Sequence, residues 1–571
     1  MKNKLAAIID AISFRNFIFI LLLSFTVFHS LVFSGSRQAV SIITPYFNGV
    51  VSIFLCIILL FILLISVALC FKKEEAVSLT YAGIVLSPLF LLYVWNAEGY
   101  YIAPFIPFIL ILLTQISFFL IISERNQIAR MTAQKDKLLI LVIIVLYFII
   151  FNYIGIQKFN SFSLFNPKDF ANHNQTLWNT IYGRFFVNSL YGSNFACHNS
   201  PFFILLAPFY YFLPHPLTLS VLKILLFSCS VIPFYLIAMV IIKEMPVIPT
   251  MLTLLFYPYL VSQNFTAPHE ITYAPFFILF TYYFFRKSKF LYFFIFLILT
   301  LSIKEHLALL AIMLGLFSVL LKRSARWVYL PMALGVFWFG FSLCLILSFQ
   351  RIFHSHPDAT WFLTNLKIRS LWPSTNLFTS LSSIISSSNI ASWYKFKNVI
   401  PLFSSLGIIP PVLSLVSILG LPEFLINILS DRPVVLTVPW HYNIVVSCFL
   451  LIGTLEGIKK ISHLKWIANL GVKTDVAMRL VSVFILSFSL MHSYLWLWLA
   501  KYPKDQGYIE VRNEALSLIP EDASVSVTRN MAVHVSNRKE YSLINEHRSE
   551  DYILLDRTVD VFPSGQDMNN R

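Results

Sequence analysis

Asp169 is the residue whose type and position point most directly to chemistry. Over 137–357 the sequence is almost entirely apolar and aromatic, and Asp169 lies in a polar segment, 166–179, directly after a hydrophobic run. Ionisable groups are costly near a bilayer, so an acid retained at the edge of an apolar segment is a functional candidate. The alternative interpretation is a solvated loop charge beside Lys168. Four carboxylates occur in this stretch: Asp169, Glu244, Glu270 and Glu305.

The composition indicates a helical membrane protein with many spans. Of 571 residues, 58% are hydrophobic and only 12% are charged, and apolar runs of 17 or more residues recur. Each such run is long enough to cross a hydrocarbon core of roughly 30 Å. The runs do not alternate between apolar and polar residues, which argues against a β-barrel. The net charge of +15 comes from short basic clusters between the runs, and such clusters report topology rather than nucleic-acid binding.

These basic clusters predict the topology and the domain organisation. With the clusters placed in the cytoplasm, the sequence predicts an all-α polytopic protein of about 13–15 transmembrane helices, with its N-terminus cytoplasmic and its C-terminus outside. A four-helix extension is predicted over 1–137, a main transmembrane module over 138–500, and a small extracytoplasmic α/β cap over 501–571. For 398–430, which glycine and proline interrupt, two spans and a re-entrant hairpin both stay open.

Two long external loops are predicted within the main module, over 156–216 and 350–397. The apolar stretch 201–215 is too short to cross the membrane, so we expect an interfacial helix within the first loop. The same topology brings Glu270 and Glu305 to the outer face, where the first candidate acid also lies. This convergence favours a functional site at the outer leaflet.

Two pairs of neighbouring residues on that face have side chains that bind metals. His269-Glu270 and Glu305-His306 supply imidazole and carboxylate groups for a divalent metal ion. The alternative is structural, with Glu270 and Lys304 forming a buried ion pair that fixes the helix ends. Hard cations prefer several carboxylates, and few are present here. The sequence therefore does not identify a cofactor, and a divalent metal ion is one alternative.

Several short segments occur in the order of a known family. They are Asp169–Asn179, Cys197–Pro201, Ala267–Glu270, Lys304–His306, Ile519–Ser526 and Asp551–Asp556. Over about 138–571 they resemble the bacterial membrane-protein group named domain of unknown function 2079. The arrangement of that family is similar to the C-type glycosyltransferases. Those are multi-span enzymes with an acid in the first large external loop and a lipid-phosphate sugar donor.

The resemblance implies a glycosyltransferase of the bacterial inner membrane that moves a sugar from a polyprenyl-phosphate donor to an acceptor at the outer face. Asp169 is then the candidate general base, with Glu270 as a second catalytic acid. Lys304 and Lys223 are candidates for binding the phosphate, although Lys223 has snorkelling to the interface as its alternative. Further candidates for substrate binding are His173, Gln175, Trp178, His198, His269 and Glu305. The expected partners are membrane lipid and the donor, without nucleic acid.

This chain departs from the pattern of the family at two positions. Asn174 stands where the family has a second loop acid, and His306 stands where it has the aspartate of Lys-Glu-Asp. These departures indicate either an altered use of metal or substrate, or reduced activity. The rival functions are a transporter or lipid flippase, and a non-catalytic membrane assembly partner. A glycine count of 17 in 571 residues and the absence of a long tandem repeat by eye argue against the transporter.

Overall fold

The structure, a computed structural model, describes most of the chain from Ala133 onward. The described residues are 133–242, 247–354, 393–430, 432–465, 469, 474–494, 506–544 and 550–556. The predicted four-helix extension lies outside them except for its last residues, as do Glu244, most of the predicted loop 350–397 and the end of the tail.

Helices dominate the part before residue 355. They are α1 (Ala133–Asn160), α2 (Pro167–Ile181), α3 (Phe202–Phe212), α4 (Pro216–Cys229), α5 (Val231–Ile241), α6 (Val247–Leu255), α7 (Pro258–Phe265), α8 (Ala274–Arg286), α9 (Phe290–Leu301), α10 (Ala308–Leu320) and α11 (Ala325–Phe353). A two-residue antiparallel pair, β1 (Val187–Asn188) and β2 (Gly192–Ser193), follows α2. Proline at the first helical position fits the starts of α2, α4 and α7, because its missing N–H has no partner there.

The remaining part combines helices with a small parallel sheet. Its elements are α12 (Trp393–Ser404), α13 (Ile409–Val412), α14 (Leu421–Leu429), α15 (Ile444–Ser462), α16 (Thr474–Tyr494), α17 (Gln506–Ser517), β3 (Val525–Val527), α18 (Ala532–Val535), β4 (Tyr541–Leu543) and β5 (Tyr552–Leu554). The strand order is β4-β3-β5, and both pairings are parallel.

Three helical segments are long and apolar enough to cross a membrane: Lys137–Asn160, Pro216–Ile241 and Ala325–Phe353. The second consists of α4 and α5, which meet at Ser230. Their hydropathy confirms the predicted all-α membrane protein for the part of the chain described. The predicted number of spans and the side on which each terminus lies stay predictions.

A 3-10 turn lies directly before each of the helices α8, α10 and α15. The turns are Glu270–Tyr273 before α8, Glu305–Leu307 before α10 and His441–Asn443 before α15. They lie together, because Lys304 Nζ is 3.7 Å from Glu270 Oε2, and the rings of His269 and His441 stack with centroids 3.5 Å apart. The N-terminal ends of α8, α10 and α15 therefore meet at one place.

The opposite ends of the same three helices are basic. The guanidinium of Arg286 lies 3.6 Å from Glu456, and Arg323 Nη1 donates a 2.7 Å hydrogen bond to the carbonyl of Phe285. Cations at helix C-termini are favourable, because the unpaired carbonyls there carry partial negative charge. The basic residues at these ends are Arg286, Lys287, Lys322, Arg323, Lys459 and Lys460. The three helices thus run parallel, with Glu270, Glu305 and His441 at one end and a cluster of six basic residues at the other.

Residues 393–429 form a hairpin along α15. At one end, Lys395 Nζ donates to the carbonyl of Ile428 at 2.7 Å, and Glu423 Oε2 accepts from the Val446 amide at 2.8 Å. At the other end, Lys460 Nζ donates to the carbonyl of Leu413 at 2.7 Å. The hairpin therefore contacts α15 from its first turn to its last, and the choice between two crossings and a re-entrant hairpin stays a prediction.

The C-terminal unit packs on α2. Its three-stranded parallel sheet and α17 are α/β in type, and β4 was not predicted from the sequence. Asn174 Nδ2 donates to Ser536 Oγ and Asn537 Oδ1, both at 2.7 Å. Gln175 Nε2 donates to the carbonyls of Arg538 and Lys539, both at 3.1 Å. These buried hydrogen bonds tie the C-terminal unit to the helix that carries Asp169.

The polar segment around Asp169 is a helix and not an open loop, which corrects the interpretation as a solvated loop charge. Most of α2 is buried, and its ten buried residues include Asn172, His173, Asn174 and Gln175. The apolar α3 that follows has 11 residues and keeps a large exposed apolar surface, with Phe212 79% exposed. Its predicted place at the membrane interface stays a prediction.

We predict that Gly457→Ala opens the hairpin at its tip. A Cβ atom at this position on α15 would lie 2.1 Å from the carbonyl oxygen of Pro410, where only backbone movement relieves the clash. Overpacking of this kind costs about 1–3 kcal/mol in the free energy of unfolding. The measurement is the melting temperature of the purified full chain in detergent.

Gly340→Ala is the matched control, because Gly340 is also helical but has no atom within 4 Å of a built Cβ. This change should leave the melting temperature equal or slightly higher, since alanine favours helix by up to about 1 kcal/mol. Equal melting temperatures for the two variants would contradict the close packing of the hairpin.

Candidate functional site

Seven buried polar residues meet where the N-termini of α8, α10 and α15 come together. We call this group the polar cluster. Its members are His173, His198, His269, Glu270, Lys304, Glu305 and His441. Each of them is at most 8% exposed. Burying so many ionisable groups is costly unless they are paired, so their contacts decide what the cluster can do.

Backbone hydrogen bonds between neighbouring segments position the cluster. The amide of Ala267 donates to the carbonyl of Phe165 at 3.1 Å, which sets the start of α2 beside the turn that carries Glu270. The amide of Phe202 donates to the carbonyl of Ser302 at 2.9 Å, which sets the segment after His198 beside the turn that carries Glu305. These two backbone hydrogen bonds thereby align segments that are far apart in sequence.

Glu270 is the centre of the first half of the cluster. Its Oε1 lies 3.5 Å from His173 Nε2, and its Oε2 lies 2.7 Å from His269 Nδ1 and 3.7 Å from Lys304 Nζ. Neither oxygen has a partner in hydrogen-bond geometry among the described residues. The carboxylate therefore has charged and polar neighbours but no well-directed hydrogen bond.

Glu305 and His198 form the second half. Glu305 Oε1 lies 3.0 Å from His198 Nδ1, within hydrogen-bond distance. The rings of His198 and His269 are 5.9 Å apart between centroids, which joins the two halves. Lys304, next in sequence to Glu305, reaches towards Glu270 instead. Glu270 is therefore paired with Lys304, whereas Glu305 is paired with His198.

His441 completes the cluster from the third helix. Its ring stacks on that of His269 at 3.5 Å with an angle of 18° between the planes. A small cavity of about 10 Å³ lies beside it, roughly the lower limit for one water molecule. The cavity is lined by Ile271, Lys304, His306, Glu423, Ile426, His441 and Tyr442.

The electrostatics separate the histidines into two kinds. Burial lowers the pKa of His173, lowers that of His269 to about 4 and holds that of His441 well below its usual value, so these rings are neutral near pH 7. Burial alone would also lower the pKa of His198. The neighbouring Cys197 and Glu305 outweigh burial there and hold the pKa well above its usual value.

Both glutamates are carboxylates at neutral pH. Burial alone would raise the pKa of Glu270, but the two adjacent histidines and Lys304 outweigh it and hold that pKa well below the usual value. Burial likewise opposes ionisation of Glu305, yet the contact with His198 lowers the pKa of Glu305 to about 2. His198 and Glu305 thus form a buried ion pair.

Asp169 lies at the edge of the cluster, in the first turn of α2. It is half-buried and accepts a short hydrogen bond from Asn166 Nδ2. His173 is four residues along the same helix, so both side chains project from one face. The charge of Asp169 also acts on His173 and on Tyr442. Asp169 is therefore the accessible acid of this region, whereas Glu270 and Glu305 are enclosed.

Three of the predicted substrate-binding residues lie outside the polar cluster and contact other parts of the protein. Gln175 has its amide nitrogen bonded to the C-terminal unit and to Ser189, and its oxygen accepts from the amide of Ser189 at 2.7 Å. Trp178 packs its ring on Tyr182. Lys223 donates to the carbonyls of Gln263 and Thr266, at 2.8 and 2.7 Å. It is 1% exposed, so it does not snorkel either.

The predicted metal candidates do not form one group. Glu305 is paired with His198, as described above, and His306 Nε2 lies 3.5 Å from Glu423 Oε1. Only His269 and Glu270 stay together, and His173 joins them. Of the four predicted metal candidates, Glu305 and His306 thus contact different partners from His269 and Glu270.

Sequence reasoning did not identify His441 or Glu423. Glu423 is an isolated polar residue in an apolar stretch, and His441 lies between the aromatic residues Trp440 and Tyr442, so neither stands in a polar motif of the kind that marks Glu270 and Glu305. The position of His441 in the sequence could have identified it, because His441 directly precedes a long apolar helix, as His269 and Lys304 do.

We predict that His198 and Glu305 stabilise the fold as a coupled pair. Removing one partner of a buried ion pair costs about 3–5 kcal/mol in the free energy of unfolding. His198→Leu and Glu305→Leu should each have this effect, whereas the double variant should lose clearly less than the sum of the two. Additive losses, measured by denaturant unfolding of the purified variants, would contradict the pair.

The same pair gives a defined pH dependence. The pKa of Glu305 is depressed from 4.5 to about 2, so its contribution is complete above about 4.5 and is lost as pH falls towards 2. The pKa of His198 is raised above 6.5, so its contribution is complete below about 6.5 and is lost at higher pH. The stability difference between the parent and the double variant should therefore be largest between about pH 4.5 and 6.5.

Comparison with known proteins gives a match to a family and distant structural likenesses. No curated protein matches the chain. Among solved structures, the chain is similar to ArnT from Cupriavidus metallidurans bound to undecaprenyl phosphate, at 10% identity, over 75% of this chain and 87% of that one, with a TM-score of 0.42. At this TM-score the likeness does not establish a shared fold.

The family match covers both the transmembrane part and the C-terminal unit. Residues 162–570 match the family described as "Predicted membrane protein (DUF2079)". This range includes every member of the polar cluster and well over half of the 571 residues. The chain therefore belongs to the DUF2079 family of predicted membrane proteins, as its motifs suggested.

Proposed function

We propose that the protein is an integral-membrane glycosyltransferase that moves a sugar from a polyprenyl-phosphate donor to an acceptor at the outer face of the inner membrane. The observation that carries this proposal is the meeting of three helix N-termini and Lys304 beside the helix of Asp169. Transfer from a lipid phosphate needs positive charge at the leaving phosphate and a base near the acceptor. Both are present where α8, α10 and α15 begin.

The phosphate half of the reaction is assigned to Lys304 and the helix ends. The first N–H groups of a helix lack partners within it and carry partial positive charge, which suits a phosphate. Lys304 adds a full positive charge only 3.7 Å from Glu270. The cavity beside Lys304 and His441 is smaller than a phosphate, so donor binding requires its walls to move apart.

The acceptor half is assigned to Asp169. A general base must reach the hydroxyl whose proton it takes, either directly or through one water molecule. Asp169 is the acid of this region with solvent access, and it lies one helical turn from His173. Glu270 is enclosed, so its role here is to orient His173, His269 and Lys304 through its contacts with them.

We predict that Asp169→Asn retains donor binding but loses sugar transfer. The amide keeps the size of the carboxylate but cannot take the proton of the acceptor, a loss of about 10²–10⁴ in rate. The measurement is transfer from a polyprenyl-phosphate sugar by the full chain in lipid nanodiscs. Asp551→Asn, on the exposed surface of the C-terminal unit, is the control and should transfer at the parental rate. Transfer at that rate by Asp169→Asn would exclude Asp169 as the base and favour a non-catalytic assembly partner.

We predict that Lys304→Met weakens the binding of the donor itself. A hydrogen bond that a charged group makes to phosphate contributes about 1.5–3 kcal/mol, so the affinity should fall about 10- to 100-fold. Lys223→Met is the matched control, because it also removes a buried ammonium but one that binds backbone carbonyls. The control should lower the melting temperature and leave donor affinity unchanged.

The same purified proteins also distinguish a transporter or flippase from a transferase. A flippase binds the lipid phosphate but forms no glycosylated product. Binding of the donor by the parent protein without any transfer, across a range of sugar donors and acceptors, would therefore favour the flippase. Absence of binding to any polyprenyl phosphate would exclude both assignments at this site.

A further inference from the structure

We propose that His173, His269 and Glu270 bind one divalent transition-metal ion. The three residues come from two segments that are distant in sequence, the buried face of α2 and the turn before α8. One ligand atom from each can be chosen so that all of them lie within 4.8 Å of one another. No other group of this kind occurs among the described residues.

The distances suit a single small ion. Metal bonds to histidine nitrogen and carboxylate oxygen are about 2.0–2.2 Å in tetrahedral sites, so two ligands of one ion are about 3.4 Å apart. His173 Nε2 is 3.5 Å from Glu270 Oε1. His269 Nδ1 is 2.7 Å from Glu270 Oε2, and a small rotation of either side chain brings this pair to the same separation.

The polar atoms at the centre of this group lack the hydrogen bonds that buried polar atoms require. Both nitrogens of His173, Nδ1 of His269 and both oxygens of Glu270 are buried without a hydrogen-bond partner among the described residues. Each unsatisfied buried polar atom costs about 1–3 kcal/mol. An ion bound between them would give the two imidazoles and the carboxylate a partner at once.

The lysine beside Glu270 does not replace the ion. Lys304 Nζ is 3.7 Å from Glu270 Oε2, too far for a hydrogen bond. It also makes no contact that would satisfy the nitrogens of His173. With Glu305 already paired to His198 at 3.0 Å, Glu270 is the carboxylate left for the ion within the cluster.

The donor set selects the kind of metal. Two imidazoles and one carboxylate are typical of zinc, and of iron, cobalt and nickel, whereas magnesium and calcium prefer oxygen ligands throughout. His441, stacked on His269 at 3.5 Å, fixes the plane of that ring and thus acts as a positioning residue. In the proposed transferase the ion would add a second cation beside Lys304 at the donor phosphate, and this role rests on the proposed function.

The first test measures metal in the parent protein, without any donor. The full chain, purified in detergent and freed of metal with a chelator, is titrated with Zn²⁺ and separately with Co²⁺. We expect one ion per chain, and for Co²⁺ the visible absorption of a four-coordinate site. X-ray absorption at the zinc edge should show two imidazoles in the shell of light ligands. Weak binding of several ions, or a shell without imidazole, would overturn the site.

The second test uses conservative variants. His173→Gln, His269→Gln and Glu270→Gln should each lower the affinity for Zn²⁺ by at least about 100-fold, since even loss of a residue behind a ligand costs about 10- to 100-fold. The control is His492→Gln, because His492 is a half-buried histidine on α16 that bonds to Ser404 at 2.8 Å, away from the cluster. It should bind Zn²⁺ as the parent does. Unchanged affinity in all three variants would overturn the proposal.

The outcomes test the proposed metal site and the proposed glycosyltransferase activity separately. Tight binding of Zn²⁺ without glycosyl transfer would retain the metal site and exclude the transferase. Transfer that continues at the parental rate in metal-free protein, together with failure to bind Zn²⁺, would exclude the metal site and retain the transferase. Melting temperatures of the variants, measured without metal, identify any change that acts through folding.

Discussion

The burial of the Glu270 carboxylate is the constraint on which this end of the molecule depends. A buried charge is tolerated only where partners replace water, and Glu270 is 1% exposed. Its partners come from different elements, since His173 lies on α2 and Lys304 lies before α10. Two elements must therefore be in place before Glu270 can stay ionised. The fold meets this demand by bringing the N-termini of parallel helices together.

The C-terminal unit belongs to the same arrangement. It contacts α2 through Asn174 and Gln175, which directly follow His173 on the helix. Because these amides are held by Ser536 and by backbone carbonyls, α2 has little freedom to turn about its axis. The C-terminal unit thereby fixes the face of α2 that carries Asp169 and His173. A unit that looks separate by composition is thus a support for the polar cluster.

Sequence patterns predicted the class of the fold and most of the cluster, and their failures have physical causes. Hydropathy and basic clusters were sufficient for an all-α membrane protein, because both reflect the bilayer itself. The motifs also led to His198, His269, Glu270, Lys304 and Glu305. The sequence could not show which partner each polar side chain binds. Lys223 donates to the backbone carbonyl of Gln263, and Gln175 binds the C-terminal unit. A polar residue in an apolar stretch can be predicted to be buried, but only the structure shows which partner forms its hydrogen bonds.

The two departures from the family pattern acquire a structural explanation. Asn174 donates to Ser536 and Asn537 and accepts from Tyr210 at 2.6 Å, and an aspartate could not donate either bond. His306 lies 3.5 Å from the buried Glu423, where a second carboxylate would repel the first. Both residues therefore suit their own neighbours in this chain. Neither substitution removes an acid from the group around Glu270, so the departures give no reason to expect that this cluster has lost its chemistry.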